Sequence, residues 1–248
     1  MKSNPEFSII VPIYNEEKIL DVFFHQFNDE LRLKYNFELI VSDGGSIDKS
    51  VEIASEFTDK IVVHKRNRRQ SISEGRNKGA DLANSEILIF LNCDTKIENI
   101  ETFFEYLISF KNSEEYRNHS AVAVNVFAFP DQQEVKDKIF YGFLNFYFKL
   151  LNNIGIGMGR GECQIVRKDI FDSVSGYNEN IFAGEDFDLY RRIKKIGKIL
   201  YSDKIIIYES PRRFKQKGYI RTIALWFINS IFVLLFNKSF SKDWEAVR

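Results

Sequence analysis

Residues 7–14 read FSIIVPIY, an apolar run rich in β-branched side chains and the pattern of a strand buried on both faces. A polar break follows. Asn15, with Glu16 and Glu17 behind it, predicts a capped helix whose apolar positions are Ile19, Leu20 and Phe23/Phe24. The next apolar run, 37–41, stops at SDGGS. The pattern then predicts helix over 48–57, strand over 60–64, helix over 73–83 and strand over 86–91. Strand and helix thus alternate through short connections for roughly ninety residues, which predicts βαβ units on a parallel sheet. Ligands of such sheets gather beyond the carboxyl ends of the strands. The polar groups there, YNE, SDGGS, HKRNRR and NCD, are therefore expected along one edge.

The second half is less regular. A helix is expected over 100–110, a strand over 121–129 and a helix rich in Phe and Tyr over 135–151. GIGMGRGE (155–162) is too glycine-rich for a regular element and reads as a loop close to a ligand or another backbone. Residues 185–196 predict a helix that Gly197 stops. The last feature is IALWFINSIFVLLF (223–236), which falls short of the roughly 20 residues that span a bilayer. Asn229 and Ser230 interrupt it, and Arg221 and Lys238 flank it. A helix apolar almost all round must be covered by protein or by lipid. The pattern leaves open a helix docked on the protein, an interfacial membrane helix over 220–238 and, least favoured by its length, a true span. Residues 1–215 are accordingly expected as the main domain and 216–248 as an apolar helix and tail.

Composition narrows the partners. Thirty-five basic and 35 acidic residues cancel, so nothing argues for a nucleic-acid partner. Cys93 and Cys163 form no CxxC pair, and the three histidines are dispersed, against a zinc cluster. Both thiols are expected buried and reduced. The N-terminal MKSNPEF lacks the apolar core of a signal peptide, so a cytoplasmic protein is expected.

Four places could carry chemistry. Gly44 and Gly45 follow Asp43, so a ligand could approach the backbone while the carboxylate accepts from a ring N–H or a ribose hydroxyl; an ordinary turn reads the same way. Lys65, Arg66, Arg68 and Arg69, then Arg76 and Lys78, suit a phosphate or diphosphate, or else a solvated basic face. In NCD, alternation puts Asn92 and Asp94 on one side with Cys93 opposite, and Asp94 could hold a hard cation whose other ligands are water and phosphate. In AGEDFDLYRRIKKIG, Asp186 shares a helical face with Leu189/Tyr190 and Ile193, so its carboxylate could point inward as a base, or else lie in solvent with Glu185 as a charge complement to the helix dipole. Neither GxGxxG after the first strand nor GxxxxGK[ST] occurs, which disfavours a dinucleotide enzyme or a P-loop NTPase.

Taken in order, SIIVPIYNEE, ELIVSDGGSIDKS, EGRNKGA, ILIFLNCDT, GRGECQIVRKDIFDSVSGYNE and FAGEDFDLYRRIKKIG resemble a family 2 glycosyltransferase of the small, membrane-associated kind. The resemblance implies a GT-A fold: an open, mostly parallel twisted sheet flanked by helices, here with an apolar C-terminal helix. It implies inverting transfer of a sugar from a nucleotide diphosphate sugar to an acceptor hydroxyl or a lipid phosphate, assisted by Mn²⁺ or Mg²⁺. It assigns the nucleotide to Pro12, Tyr14, Asn15, Glu16, Asp43 and Gly44. Arg69, Arg76 and Lys78 are expected near the diphosphate, and Asn92-Cys93-Asp94 takes the place of D-x-D with Asp94 on the metal. Glu185 and Asp186 form the catalytic pair, with Asp186 as base. Two departures stand out: Asn92 replaces an Asp, and SDGGS replaces the commoner DDGS. The alternatives are a non-catalytic nucleotide-sugar-binding protein, suggested by Asn92, and a sugar-nucleotide pyrophosphorylase, disfavoured because PIYNEE has no glycine.

Overall fold

The computed structural model describes residues 4–65 and 68–241. The first half alternates as expected apart from α2, which the pattern does not predict: β1 (Phe7–Ile13), α1 (Leu20–Phe24), α2 (Asp29–Tyr35), β2 (Phe37–Asp43), α3 (Ser50–Ser55), β3 (Ile61–Val63), α4 (Ile72–Asp81) and β4 (Ile87–Leu91). The short β5 (Lys96–Ile97), α5 (Ile100–Lys111), α6 (Glu114–Asn118), β6 (His119–Ala128) and α7 (Val135–Asn153) follow. The chain continues through β7 (Cys163–Arg167), α8 (Lys168–Ser173), α9 (Glu185–Lys194), β8 (Lys198–Glu209), α10 (Arg212–Lys217) and α11 (Tyr219–Phe236).

All eight strands form one sheet in the order β3-β2-β1-β4-β7-β6-β8-β5. β1 pairs in parallel with both β2 and β4, and β3 pairs in parallel with β2. The chain winds one way from β1 to β3 and crosses back to β4, so a crevice opens beyond the carboxyl ends of these strands. β7 runs antiparallel between β4 and β6, and β8 returns parallel to β6. The mixed, mostly parallel sheet flanked by helices is the expected architecture.

Alternation along the strands sorts the core onto two faces. Ile9, Val11, Leu39 and Ile89 pack on one side with Phe24, Phe104 and Leu107. Ile10, Ile40, Leu88 and Phe90 pack on the other with Ala80, Leu189 and Tyr190. Close approach sets the spacing of α4: a Cβ on Gly79 would lie 2.4 Å from Ile10 Cγ2. Both thiols are buried and unbridged.

Two local expectations are corrected. Asn15 does not cap α1, which starts only at Leu20; Asn15 sits in the left-handed region at φ 52 and spends its side chain on a neighbouring turn. The apolar C-terminal helix is longer than fourteen residues: α11 runs for 18, with a mean hydropathy of 1.8. Its protein-facing side is Thr222, Asn229 and Val233. Val233 packs with Ile181 and Phe187, and Trp226 meets Phe214 at 5.6 Å between ring centroids, so the helix lies along the domain.

Candidate active site

The carboxyl ends of β1, β2 and β4 open on a cleft of about 600 Å³. Pro12, Tyr14, Asn15 and Glu16 line it from the β1 end, Gly44 from the β2 end, and Asn92, Cys93 and Asp94 from the β4 end. Arg69 lines it too, its guanidinium 4.7 Å from the centre of the Tyr14 ring. Arg212 and Arg213 reach the same cleft from α10, far away in sequence.

Two turns build one wall. The Asn15 N–H donates to Ser46 Oγ at 2.8 Å, and Asn15 Oδ1 accepts from the Ile47 N–H at 2.8 Å. The Glu16 N–H donates to Ser50 Oγ at 2.7 Å. Glu17 donates its N–H to Asp48 Oδ2 at 3.2 Å and accepts from the Lys49 N–H at 3.1 Å. A left-handed conformation that Asn tolerates is thereby fixed by the turn after β2. Gly44 lies under this wall, where an added Cβ would sit 3.3 Å from the Ile13 carbonyl oxygen.

Asp43 ends β2 as expected, and its carboxylate serves the turn that follows. It is fully buried, and its carboxylate accepts from the Gly45 N–H at 2.9 Å and from the Ser46 N–H at 3.1 and 3.2 Å. Its oxygens shape the turn, as Asp side chains do when they capture the backbone just ahead of them.

The basic run divides. Arg69 faces the cleft, while Arg68 pairs with Glu74. Lys78 Nζ stands 3.4 Å from His64 Nδ1 and lines neither cavity of the site. Arg66 lies outside the described residues. Arg76 turns inward, away from the donor contact expected of it, because α4 presents it to the core. It is 0% exposed, and its Nη atoms donate to Glu185 Oε1 (3.0 Å), Asn92 Oδ1 (3.0 Å) and the Gly161 carbonyl (2.6 Å).

β4 ends at Leu91, and a turn follows in which the Thr95 hydroxyl donates to the Asn92 carbonyl at 2.7 Å. Within it Cys93 packs into the core and Asp94 meets solvent. The protein crowded round Asp94, and then Glu162, raise its carboxyl above the usual range, with Arg212 and Arg213 pulling the other way.

Beside the cleft, sharing Ile72 and Asn92 with it, lies a second cavity of about 120 Å³. Asp186 and Glu185, from the first turn of α9, line it together with Arg76, Arg160 and Glu162. Phe148 of α7 and Trp226 of α11 supply apolar walls. Burial, then the neighbouring Glu185 charge, push the Asp186 carboxyl up to about 7, against the Phe187 N–H that donates to its Oδ1 at 2.8 Å. A carboxyl poised there can hold or release a proton near neutrality.

Sequence reasoning missed the group behind this pocket. Arg160, 4% exposed, donates from Nε and Nη2 to Glu162 at 3.1 and 3.2 Å and also pairs with Glu209. Burial alone would raise Glu162, but Arg160 holds it down at about 2. Glu209, buried against the Glu162 charge, is pushed well above the carboxylate range. The GRGE loop was a visible signal for Arg160 and Glu162; Glu209 stands at the end of a strand that the apolar pattern did not reveal.

The comparisons agree with the geometry. Residues 8–175 match the model of Glycosyl transferase family 2. The chain is 32% identical over 104 residues to a PGL/p-HBAD biosynthesis glycosyltransferase of Mycobacterium tuberculosis, covering 40% of this chain and 39% of that protein. It is 26% identical over 251 residues to the glycosyltransferase GlyA of Streptococcus pneumoniae, covering 96% of this chain and 30% of that one. The chain thus spans well under half the length of either relative. In fold it is similar to the mannosyltransferase PcManGT from Pyrobaculum calidifontis, solved with GDP-Man and Mn²⁺, at a TM-score of 0.66 and 15% identity over 90% of this chain and 64% of that one. With a family match running from β1 through α8 and a GT-A sheet beneath it, the chain belongs to glycosyl transferase family 2.

Proposed function

We propose that the protein is an inverting glycosyltransferase, moving a sugar from a nucleoside diphosphate sugar to an acceptor hydroxyl or a lipid-linked phosphate. The observation that carries this reading is the Asp186 carboxyl, held near neutrality in a pocket that shares Asn92 and Ile72 with the larger cleft. The larger cleft suits the nucleoside diphosphate: an aromatic face at Tyr14, close backbone at Gly44, and the cations Arg69, Arg212 and Arg213. The smaller pocket suits the acceptor. As the acceptor oxygen forms its bond to the anomeric carbon, Asp186 takes its proton, and the bond to the diphosphate breaks with its electron pair leaving on the diphosphate. A phosphate acceptor, already ionised, attacks without that proton transfer. Glu185 holds Arg76, and so fixes the start of α9 against the β4 end.

Among the described residues no group of three or more His, Cys, Asp and Glu could enclose a metal ion. One carboxylate suffices for Mg²⁺ or Mn²⁺ when the substrate's phosphates complete the shell. Asp94, at the cleft wall and reached by solvent, fits that role. When bound, such a cation neutralises charge that builds on the leaving diphosphate. The mannosyltransferase structure with GDP-Man and Mn²⁺ supports this choice of ligands. We further propose peripheral membrane contact through 220–238, which suits a lipid-linked acceptor.

Donor hydrolysis across a panel of uridine and guanosine diphosphate sugars tests the reading. One donor should be cleaved slowly in the presence of Mn²⁺ or Mg²⁺. Asp186→Asn should still gain melting temperature from that donor while losing transfer. Full turnover in Asp186→Asn would remove Asp186 from the role of base.

A further inference from the structure

α7 carries an apolar stripe that faces away from the protein. Val135, Ile139, Phe143, Phe146, Leu150 and, just past its end, Ile154 recur at spacings of three and four and are all exposed, Ile139 by 69% and Phe146 by 65%. These spacings put them on one face of the helix. Its opposite face is well used: Tyr141, Leu144 and Phe148 are buried, and Asn145 bonds the β6 backbone. The stripe is therefore surplus to the fold. A monomer rarely leaves so continuous an apolar surface uncovered.

The stripe continues onto α11. Tyr219 at the start of α11 meets Phe140 of α7 at 4.8 Å between ring centroids, and its hydroxyl donates to Asp137. An open groove lined by Lys136, Ile139, Phe140, Phe143 and Tyr219 joins the two helices. Beyond it α11 exposes Ile220, Phe227, Ile231, Leu234 and Leu235. Of its large apolar side chains, Val233 and Trp226 pack on the domain beside the polar Thr222 and Asn229, and most of the others face away.

Cations outnumber acids beside this surface. From residue 210 to 241 there is no Asp or Glu; Arg212 and Arg213 turn to the larger cleft, and Lys215, Lys217, Arg221 and Lys238 also fall there. On α7 the cations are Lys136, Lys138 and Lys149, and its single acid, Asp137, is buried. Some of these cations have partners: Lys136 and Lys215 reach Glu134, and Lys149 pairs with Asp203. Apolar side chains bordered by cations complement the boundary between acyl chains and anionic headgroups.

We infer that α7 and α11 together form one membrane-seating face, and that its occupant is an anionic lipid bilayer. This rests on the proposed membrane contact through 220–238 and adds α7 as its second half. The pocket that holds Asp186 has Phe148 of α7 and Trp226, Asn229 and Ser230 of α11 in its walls. An acceptor anchored in that bilayer thus reaches Asp186 between the two seated helices.

The test is co-sedimentation of the full chain with vesicles of phosphatidylcholine and phosphatidylglycerol in equal parts. Two variants are compared with the unaltered protein: I139S/F143S/F146S on α7 and F227S/I231S/L234S on α11. All six side chains are exposed, so melting temperatures should stay within a few degrees, and stabilisation by a nucleoside diphosphate should persist. Each variant should lower vesicle partitioning about tenfold or more, since each removes three apolar side chains from the seated surface. Loss in the α11 variant with normal binding in the α7 variant would overturn the inference and leave the α11 contact standing. An unaltered protein that ignores the vesicles and instead self-associates through this face would overturn both.

Discussion

Arg76 Nη2 donates to Asn92 Oδ1 at 3.0 Å while its Nη1 donates to Glu185 Oε1 at the same distance. One buried cation thus joins the end of β4 to the start of α9. Its charge is matched to one carboxylate, and Asn92 offers it a neutral carbonyl. A carboxylate at 92 would compete with Glu185 for Arg76 and bring a second negative group beside Asp94. Asn92→Asp should therefore lower the Mn²⁺ concentration for half-maximal thermal stabilisation, with nucleoside diphosphate present, by about threefold to tenfold, because ligand charge sets affinity for hard cations. An unchanged midpoint would show that residue 92 does not control the ion.

Asp186 should leave two marks on pH dependence. As a base it works ionised, so transfer to a hydroxyl should rise with pH through about 7 and level off above. Its effect on stability has the opposite sense. The folded protein holds this proton more tightly than the unfolded chain, so stability falls from about pH 4 to pH 7 as folding must accommodate an ionised, buried carboxylate. Asp186→Asn should thus be the more stable protein at pH 8 by on the order of 4 kcal/mol, and nearly equal to the original at pH 4. Urea unfolding at both values measures this; equal gains at both would mean that the carboxyl is not strained by its charge.

Arg160→Met should be costly. It removes the cation between Glu162 and Glu209 and leaves buried acids facing one another. Breaking a buried ionic group from one side costs about 3–5 kcal/mol. Chemical unfolding should show it, and adding Glu209→Gln should restore part of the loss. A cost below about 1 kcal/mol would mean that water already screens the group.

The first half of the fold was legible because strands buried on both faces of a parallel sheet must be nearly all apolar, and FSIIVPI and ILIFL are. The second half hid its strands for physical reasons. β8 reads KILYSDKIIIYE, and its Ser-Asp-Lys interruption is the irregularity where pairing with β6 jumps from Val124–Ser202 to Asn125–Ile206. β7 is only five residues long and begins with Cys-Gln. At the site, Tyr14, Asp94 and Asp186 were legible because each closes a strand or opens a helix at the predicted edge. Arg76 was misplaced since a cation in a basic run reads as exposed; only packing of α4 shows it fully buried. Glu209 could not be paired with Arg160 from sequence, because the two stand 49 positions apart and nothing between them marks that contact.

The acid-free stretch from α10 through α11 has an effect that reaches past contact. The chain as a whole carries 35 basic and 35 acidic residues, so a surplus of cations on one side obliges a surplus of carboxylates over the remainder. A protein neutral in sum is then an electric dipole. Near an anionic surface it feels almost no net pull but does feel a torque, within the ~8 Å that physiological salt allows. On the proposed seating, the molecule would be turned to face the surface before any apolar side chain had touched it.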